Sequence, residues 1–148
     1  MNLELKKTNT LNVFVEKNSS RRKIFSPPSS EKNISTHLYL EKKKTLFVGD
    51  SEGSIHMWKP KYEFKSGLDR SKLTGHLGTI FKFLYLDQLK PGLLFSASAD
   101  RTIKMWDIWG RDVENRLIQS LVGHGGTVLD MDYNQGIMVS CSTDRYVL

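Results

Sequence analysis

Phe95-Ser96-Ala97-Ser98-Ala99-Asp100-Arg101-Thr102-Ile103-Lys104-Met105-Trp106-Asp107 is the most informative run of this sequence. Its two ends are rich in apolar, aromatic and β-branched residues, which suit a pleated, half-buried surface. Ala99-Asp100-Arg101 interrupts them as a tight turn. The run therefore reads as strand, turn, strand. Upstream, Thr79 to Leu86 has the same strand-like content, and Asp87 to Gly92 holds Lys90-Pro91-Gly92, a turn signal. Downstream, Arg116-Leu117-Ile118-Gln119-Ser120-Leu121 reads as a further strand. Four short strands in succession predict one antiparallel sheet.

The unit recurs. Leu73-Thr74-Gly75-His76-Leu77-Gly78-Thr79-Ile80 aligns without a gap on Leu121-Val122-Gly123-His124-Gly125-Gly126-Thr127-Val128, at an offset of 48. The same offset places Ile55-His56-Met57-Trp58 on Ile103-Lys104-Met105-Trp106, and Tyr85 on Tyr133. A fixed period of this length is the mark of a repeat architecture, in which each unit buries its faces against its neighbours.

These residues resemble the WD-repeat family. Gly75-His76 and Trp106-Asp107 match the Gly-His and Trp-Asp pairs that frame its repeat. The resemblance covers about residues 34–148. It implies an all-β fold of antiparallel four-stranded blades in a β-propeller, here an incomplete ring. It also implies a buried hydrogen-bonded tetrad of His76, Ser96, Asp100 and Trp106, repeated as His124, Ser140 and Asp144. Asp100 precedes its Trp by six residues, so the partner of Asp144 would be residue 150. The repeat marks are Gly75, Asp107, Gly123 and Trp58. Trp58 is followed by Lys59 rather than Asp, and Glu52 stands where the complete repeat has Asp100.

Residues 34–148 are accordingly expected to hold two complete blades and the start of another. Residues 1–33 are read as a basic segment ending in the last strands of a preceding blade. Within it, Leu11 to Val15 would be a third strand with Phe14 in the Trp position, and Arg22 to Phe25 a fourth. A ring needs at least four blades, so the chain is expected to be a piece of a longer propeller, whose remaining blades would be among its partners.

Ser, His and Asp together also form the set of a hydrolase triad. The sequence offers no Gly-x-Ser-x-Gly elbow, and the set recurs with the repeat, as a structural network does and an active site need not. The donors and acceptors of Trp, Ser, His and Asp can link in series, so all can be buried while satisfied. His37, His56, His76 and His124 are far apart in sequence, and one cysteine completes no zinc pattern. Gly123, Gly125 and Gly126 lack the Lys-Ser/Thr of a phosphate loop and are ascribed to a tight turn. No enzyme activity and no cofactor are expected.

Composition agrees with a folded domain. Of 148 residues, 39% are hydrophobic and 10% aromatic, enough to build a core. The lone Cys141 excludes an internal disulfide and reads as a small buried hydrophobe in a reducing compartment. No apolar run approaches membrane-span length and the N-terminus lacks a signal-peptide core, so the expected location is intracellular, cytoplasmic or nuclear. The net charge of +6 lies in residues 1–44, which hold 10 Lys/Arg and 4 Asp/Glu. Such a patch attracts nucleic acid or acidic proteins, or is simply a set of solvated turns. What remains for function is surface. The partner-binding rim is expected at Leu77, Gly78, Thr79, Gly125, Gly126 and Thr127, with Lys42 to Lys44 and Ser26-Pro27-Pro28-Ser29-Ser30 as further segments. The sequence thus points to a scaffold for protein–protein interaction and complex assembly. The alternative is a nucleic-acid-associated protein acting through residues 1–44.

Overall fold

A computed structural model of the chain describes residues 14–17, 20–23, 33–59, 69–89, 92–110 and 116–148. Among them every regular element is a strand. Two form a ribbon, β1 (Phe14–Lys17) and β2 (Ser20–Lys23). The first full sheet holds β3 (Ile34–Leu40), β4 (Thr45–Asp50), β5 (Ile55–Lys59) and β6 (Asp69–Leu73). The second holds β7 (Ile80–Leu86), β8 (Leu93–Ser98), β9 (Ile103–Trp106) and β10 (Leu117–Leu121). A further pair is β11 (Val128–Asn134) and β12 (Ile137–Ser142). Each full sheet is an antiparallel meander in chain order.

The strands expected from 79–86, 93–98, 102–107 and 116–121 are β7 to β10. At the N-terminus, Phe14 and Val15 of the first expected strand fall in β1, and Arg22 and Lys23 of the second fall in β2, which includes Ser20 and Arg21 as well. Only Asn18 and Ser19 separate the two strands, and so short a link sets the register by itself. Residues 11–13, 24–32, 90 and 91 lie outside the described residues, and with them the Ser26 to Ser30 segment.

The repeat is visible in the pairing. Each first strand carries an irregularity at the same place, between Ile34 and Thr36, Ile80 and Lys82, and Val128 and Asp130. A bulge there bends and twists the inner strand. Leu46 pairs Trp58, which pairs Arg70; Leu94 pairs Trp106, which pairs Leu117. Each Trp thus sits in mid-sheet on a third strand.

Burial follows from stacking. β4 and β8 lie inside their sheets with both faces covered, so β4 is buried throughout and β8 nearly so. Phe47, Ile55, Met57 and Leu73 of the first sheet pack on Ile80, Phe83, Leu94 and Trp106 of the second. Phe95, Ala97 and Ile103 on the other face of the second sheet pack on Val128 and Met131 of β11. A fully buried Phe or Leu stabilises by about 1.5–3 kcal/mol, so these interfaces hold the array together. The sheets also lock through the backbone. Gly53 has φ +86°, and a Cβ there would stand 2.6 Å from the carbonyl oxygen of His76, so the turn after β4 presses directly on the loop before β7.

Candidate functional site

Two equivalent loops, residues 74–79 and 122–127, lie at the end of the sheets that also carries the turns 99–102 and 143–146. Their shape is set by buried polar chains. His76 Nδ1 lies 2.8 Å from Asp100 Oδ2, and its Nε2 lies 2.7 Å from Ser96 Oγ. Trp106 Nε1 donates to that same Oγ at 2.8 Å. Asp100 can only accept, so Nδ1 carries the proton. The bare Nε2 accepts from the Ser96 hydroxyl, which is left to accept from the indole. The order Trp106, Ser96, His76, Asp100 is therefore directional and complete.

Asp100 gathers more donors. The Leu77 N–H donates to Oδ2 at 3.0 Å, and the Thr102 N–H and hydroxyl donate to Oδ1 at 3.0 and 2.7 Å. Burial pushes its pKa upward, but the bonds from Thr102, Leu77 and His76 outweigh burial and hold it at about 2. Burial pushes His76 below its ordinary value, against the pull of Asp100, so the imidazole is neutral, as the proton order requires. The last pair of strands repeats the device. His124 Nδ1 lies 2.9 Å from Asp144 Oδ2 and Nε2 lies 2.9 Å from Ser140 Oγ, while Asp144 accepts from the N–H groups of Gly125 and Tyr146.

The first sheet solves the same problem with other residues. Asp50 accepts from the N–H groups of Glu52 and Ser54 and pairs with His56 Nε2 at 3.0 Å, and His56 stacks on Trp58 with ring centres 5.7 Å apart. Burial raises the Asp50 pKa, but His56 and the two amides more than offset it. Sequence reading missed this pair because Glu52 occupied the expected position. The available signal was an Asp two residues earlier, with a His where the next repeat has Lys104.

The repeat marks have physical roles. A Cβ on Gly75 would stand 3.1 Å from the Trp106 ring, so glycine lets the loop cross the indole. Asp107 Oδ1 accepts from the N–H groups of Trp109 and Gly110 and caps the turn leaving β9. Gly126 differs from its expected role. Neither it nor Gly125 has a positive φ. Gly126 instead supplies space, since a Cβ would stand 2.5 Å from Thr143 Oγ1 and 2.8 Å from the Asp144 nitrogen.

Six rim residues were expected, and the structure sorts them. Thr79 donates its hydroxyl to the Ser51 carbonyl, the Gly78 carbonyl accepts from Ser98 Oγ, and the Thr127 N–H donates to Thr143 Oγ1. These three and Gly126 fasten the loops. Leu77 stands 92% exposed, although its own N–H is held by half-buried Asp100, and Gly125 is exposed on the equivalent clamp. Val122 is exposed beside them. Lys42 to Lys44 lie in the turn between β3 and β4, at the opposite end of the sheets, where Lys43 sits over the Trp109 ring at 5.6 Å.

The chemistry open to this arrangement is narrow. Ser96 has no exposed surface, and its oxygen is engaged by both Trp106 and His76. A nucleophile needs access and a free lone pair aimed at substrate. Among the described residues no group of three or more His, Cys, Asp or Glu could hold a metal ion, and no helix is long and apolar enough to cross a membrane. What the clamps do is hold exposed side chains on rigid loops.

Comparison with known proteins agrees with the geometry. Residues 69–107 and 115–148 match the family described as WD domain, G-beta repeat. The chain is 38% identical over 100 residues to WD repeat and FYVE domain-containing protein 1 of Mus musculus, across 66% of this chain and 23% of that protein. It is 26% identical over 109 residues to the tRNA (34-2'-O)-methyltransferase regulator WDR6 of Bos taurus, across 70% of this chain and 10% of that protein. The chain therefore spans less than a quarter of either relative. Among solved structures, the computationally designed Ika4 protein superposes with a TM-score of 0.58 at 22% identity, over 78% of this chain and 64% of that one.

Proposed function

Because the chain is a WD-repeat protein, with repeats at 69–107 and 115–148 built as propeller blades, we propose that it works as a non-catalytic scaffold that holds other proteins on the clamped rim. The observation that carries this reading is Leu77. A large apolar side chain left almost wholly in water adds nothing to the stability of the free domain, yet its backbone is fixed by the half-buried Asp100 carboxylate. A contact residue ordered in advance spares the entropy that binding otherwise costs. Exposed Val122 next to the second clamp extends the surface.

The test is affinity capture from a lysate by the full chain and by Leu77→Asp, followed by binding assays with each protein recovered. The scaffold reading expects at least one specific partner whose affinity drops about tenfold or more, the scale of losing one buried apolar contact of about 1–3 kcal/mol, with unchanged thermal stability. Retention of every partner by Leu77→Asp would remove this rim from the proposal. The nucleic-acid alternative makes a different forecast. Binding to RNA or DNA through the basic residues of 1–44 would weaken steeply with salt, and would be indifferent to Leu77.

A further inference from the structure

Arg101 stands exposed in the turn between β8 and β9, and among the described residues its guanidinium forms no ion pair. We propose, resting on the scaffold reading above, that this guanidinium selects the partner of the clamped rim. The partner it fits is an acidic protein segment, laid across Leu77 and Val122, that brings an Asp or Glu carboxylate to Arg101.

The turns and loops of one complete blade gather these three side chains. The Leu77 N–H is tied to Asp100 Oδ2 at 3.0 Å, and Arg101 is the next residue after Asp100. Leu121 pairs with Ile103, so the chain leaves β10 at Val122 across from Thr102, beside Arg101. Leu77 and Val122 are both exposed. The second sheet is stacked on both sides, on the first sheet and on β11, so the exposure of Leu77 and Arg101 belongs to the rim itself.

The turn has no need of arginine. Arg101 has φ 71°, and Gly53, at the offset of 48 in the first sheet, has φ 86°. Glycine meets this conformation without penalty, so what arginine adds at 101 is its side chain. The turn of the next repeat carries Arg145 at φ 74°, again directly after the clamping aspartate.

Charge decides the partner's chemistry. The loops 74–79 and 122–127 contain no Lys, Arg, Asp or Glu. The carboxylate of Asp100 is filled by His76, the Leu77 N–H and Thr102, and that of Asp144 by His124 and the N–H groups of Gly125 and Tyr146. The acids of this rim therefore face inward and its guanidiniums face out. A guanidinium is weakly hydrated and grips a carboxylate with two parallel bonds, so it is suited to an ion pair at a contact surface. A nucleic acid is held by a track of several cations along its backbone. Here a guanidinium is flanked by two apolar side chains, which suits a polypeptide that carries an acid among apolar residues.

The experiment selects a random peptide library displayed on phage against the immobilised full chain, then measures each recovered peptide in synthetic form by fluorescence polarisation. The expected peptides place Asp or Glu near Leu, Ile, Val or Phe. Arg101→Gly is expected to weaken them at least about tenfold, with circular dichroism and melting temperature unchanged, because the turn accepts glycine. Exchanging the peptide's acid for its amide should cost as much on the parent chain and little on Arg101→Gly, the mark of a direct pair. Leu77→Asp separates the two readings. Peptides that lose affinity in Leu77→Asp but keep it in Arg101→Gly overturn the acidic-segment proposal and leave the scaffold reading in place. Peptides indifferent to both variants, or recovery of none, overturn both. A short single-stranded DNA whose binding is lost in Arg101→Gly would assign the guanidinium to nucleic acid and overturn the proposal as well.

Discussion

Asp100 shows how one side chain shapes a surface it does not reach. Its carboxylate receives His76, the Leu77 N–H, the Thr102 N–H and the Thr102 hydroxyl. Asp100→Ala leaves these donors unmatched at about 1–3 kcal/mol for each group that stays buried. The expected result in urea unfolding is a loss of several kcal/mol, with Asp100→Asn losing less because one acceptor survives. An unchanged midpoint would show that the donors find water instead. The same bonds set the pH response. His76 is held below its ordinary 6.5 by burial, so between its folded value and 6.5 the unfolded chain binds more protons, and stability falls as pH drops below about 6.5. Asp100 and Asp144 are both held near 2, so their contribution is complete above about 3.8 and is lost as pH falls through 2. Melting temperature against pH is therefore expected to decline in two windows. In His76→Asn the upper decline should be weaker than in the parent. An identical upper decline in both proteins would assign that window to another group.

At the scale of the strand and its turns, close approach decides which glycines are irreplaceable. Gly125 and Gly126 are adjacent and look alike in sequence. A Cβ at Gly125 meets nothing nearer than 3.9 Å, whereas at Gly126 it meets the Thr143 hydroxyl and the Asp144 nitrogen below 3 Å. Gly125→Ala is expected to be neutral within about 0.5 kcal/mol. Gly126→Ala should cost about 1–3 kcal/mol, the scale of forced overpacking. Parallel thermal melts of the two variants check this, and equal effects would mean that the turn after β12 gives way freely. The basic run Arg21-Arg22-Lys23 makes the opposite case. Its replacement by alanine is expected to leave the β circular dichroism of the array unchanged, because among the described residues the stacked cores are built from 34 onward. A collapse of that signal would make the ribbon a structural part of the folded chain.

Across the whole molecule, stability follows the stacking of sheets. β8 is covered on both faces, while β12 exposes Ile137 and Val139 and β10 is exposed along most of its length. Local opening is easiest where few apolar contacts must be broken. Hydrogen exchange of the free chain is expected to protect β8 longest and β12 least, with a difference of at least about 3 kcal/mol in opening free energy. Uniform protection would mean that β12 is covered in solution.

Much of this architecture was legible in one dimension. The offset of 48 marked the repeat, because the Gly-His loops at 75 and 123 and the third strands at 55 and 103 recur with it. Alternating and continuous apolar runs marked β7 and β8, because a strand covered on both sides must be apolar along its length. His76, Ser96, Asp100 and Trp106 could be grouped because they recur in the matching pattern. The pairing of Asp50 with His56 escaped, because it replaces one network by another whose members lie in different repeat positions. So did the division of the rim into fasteners and exposed contacts. Thr79 and Leu77 are neighbours on one polar loop, and composition cannot tell which is held inward. That depends on where Ser51 and Asp100 arrive from distant parts of the chain. Local sequence determined the period, the strands and the hydrogen-bonding inventory, since each follows from side-chain type and spacing. Only tertiary structure decided which donors met which acceptors and which apolar faces stayed uncovered, because those are fixed by the stacking of one sheet on the next.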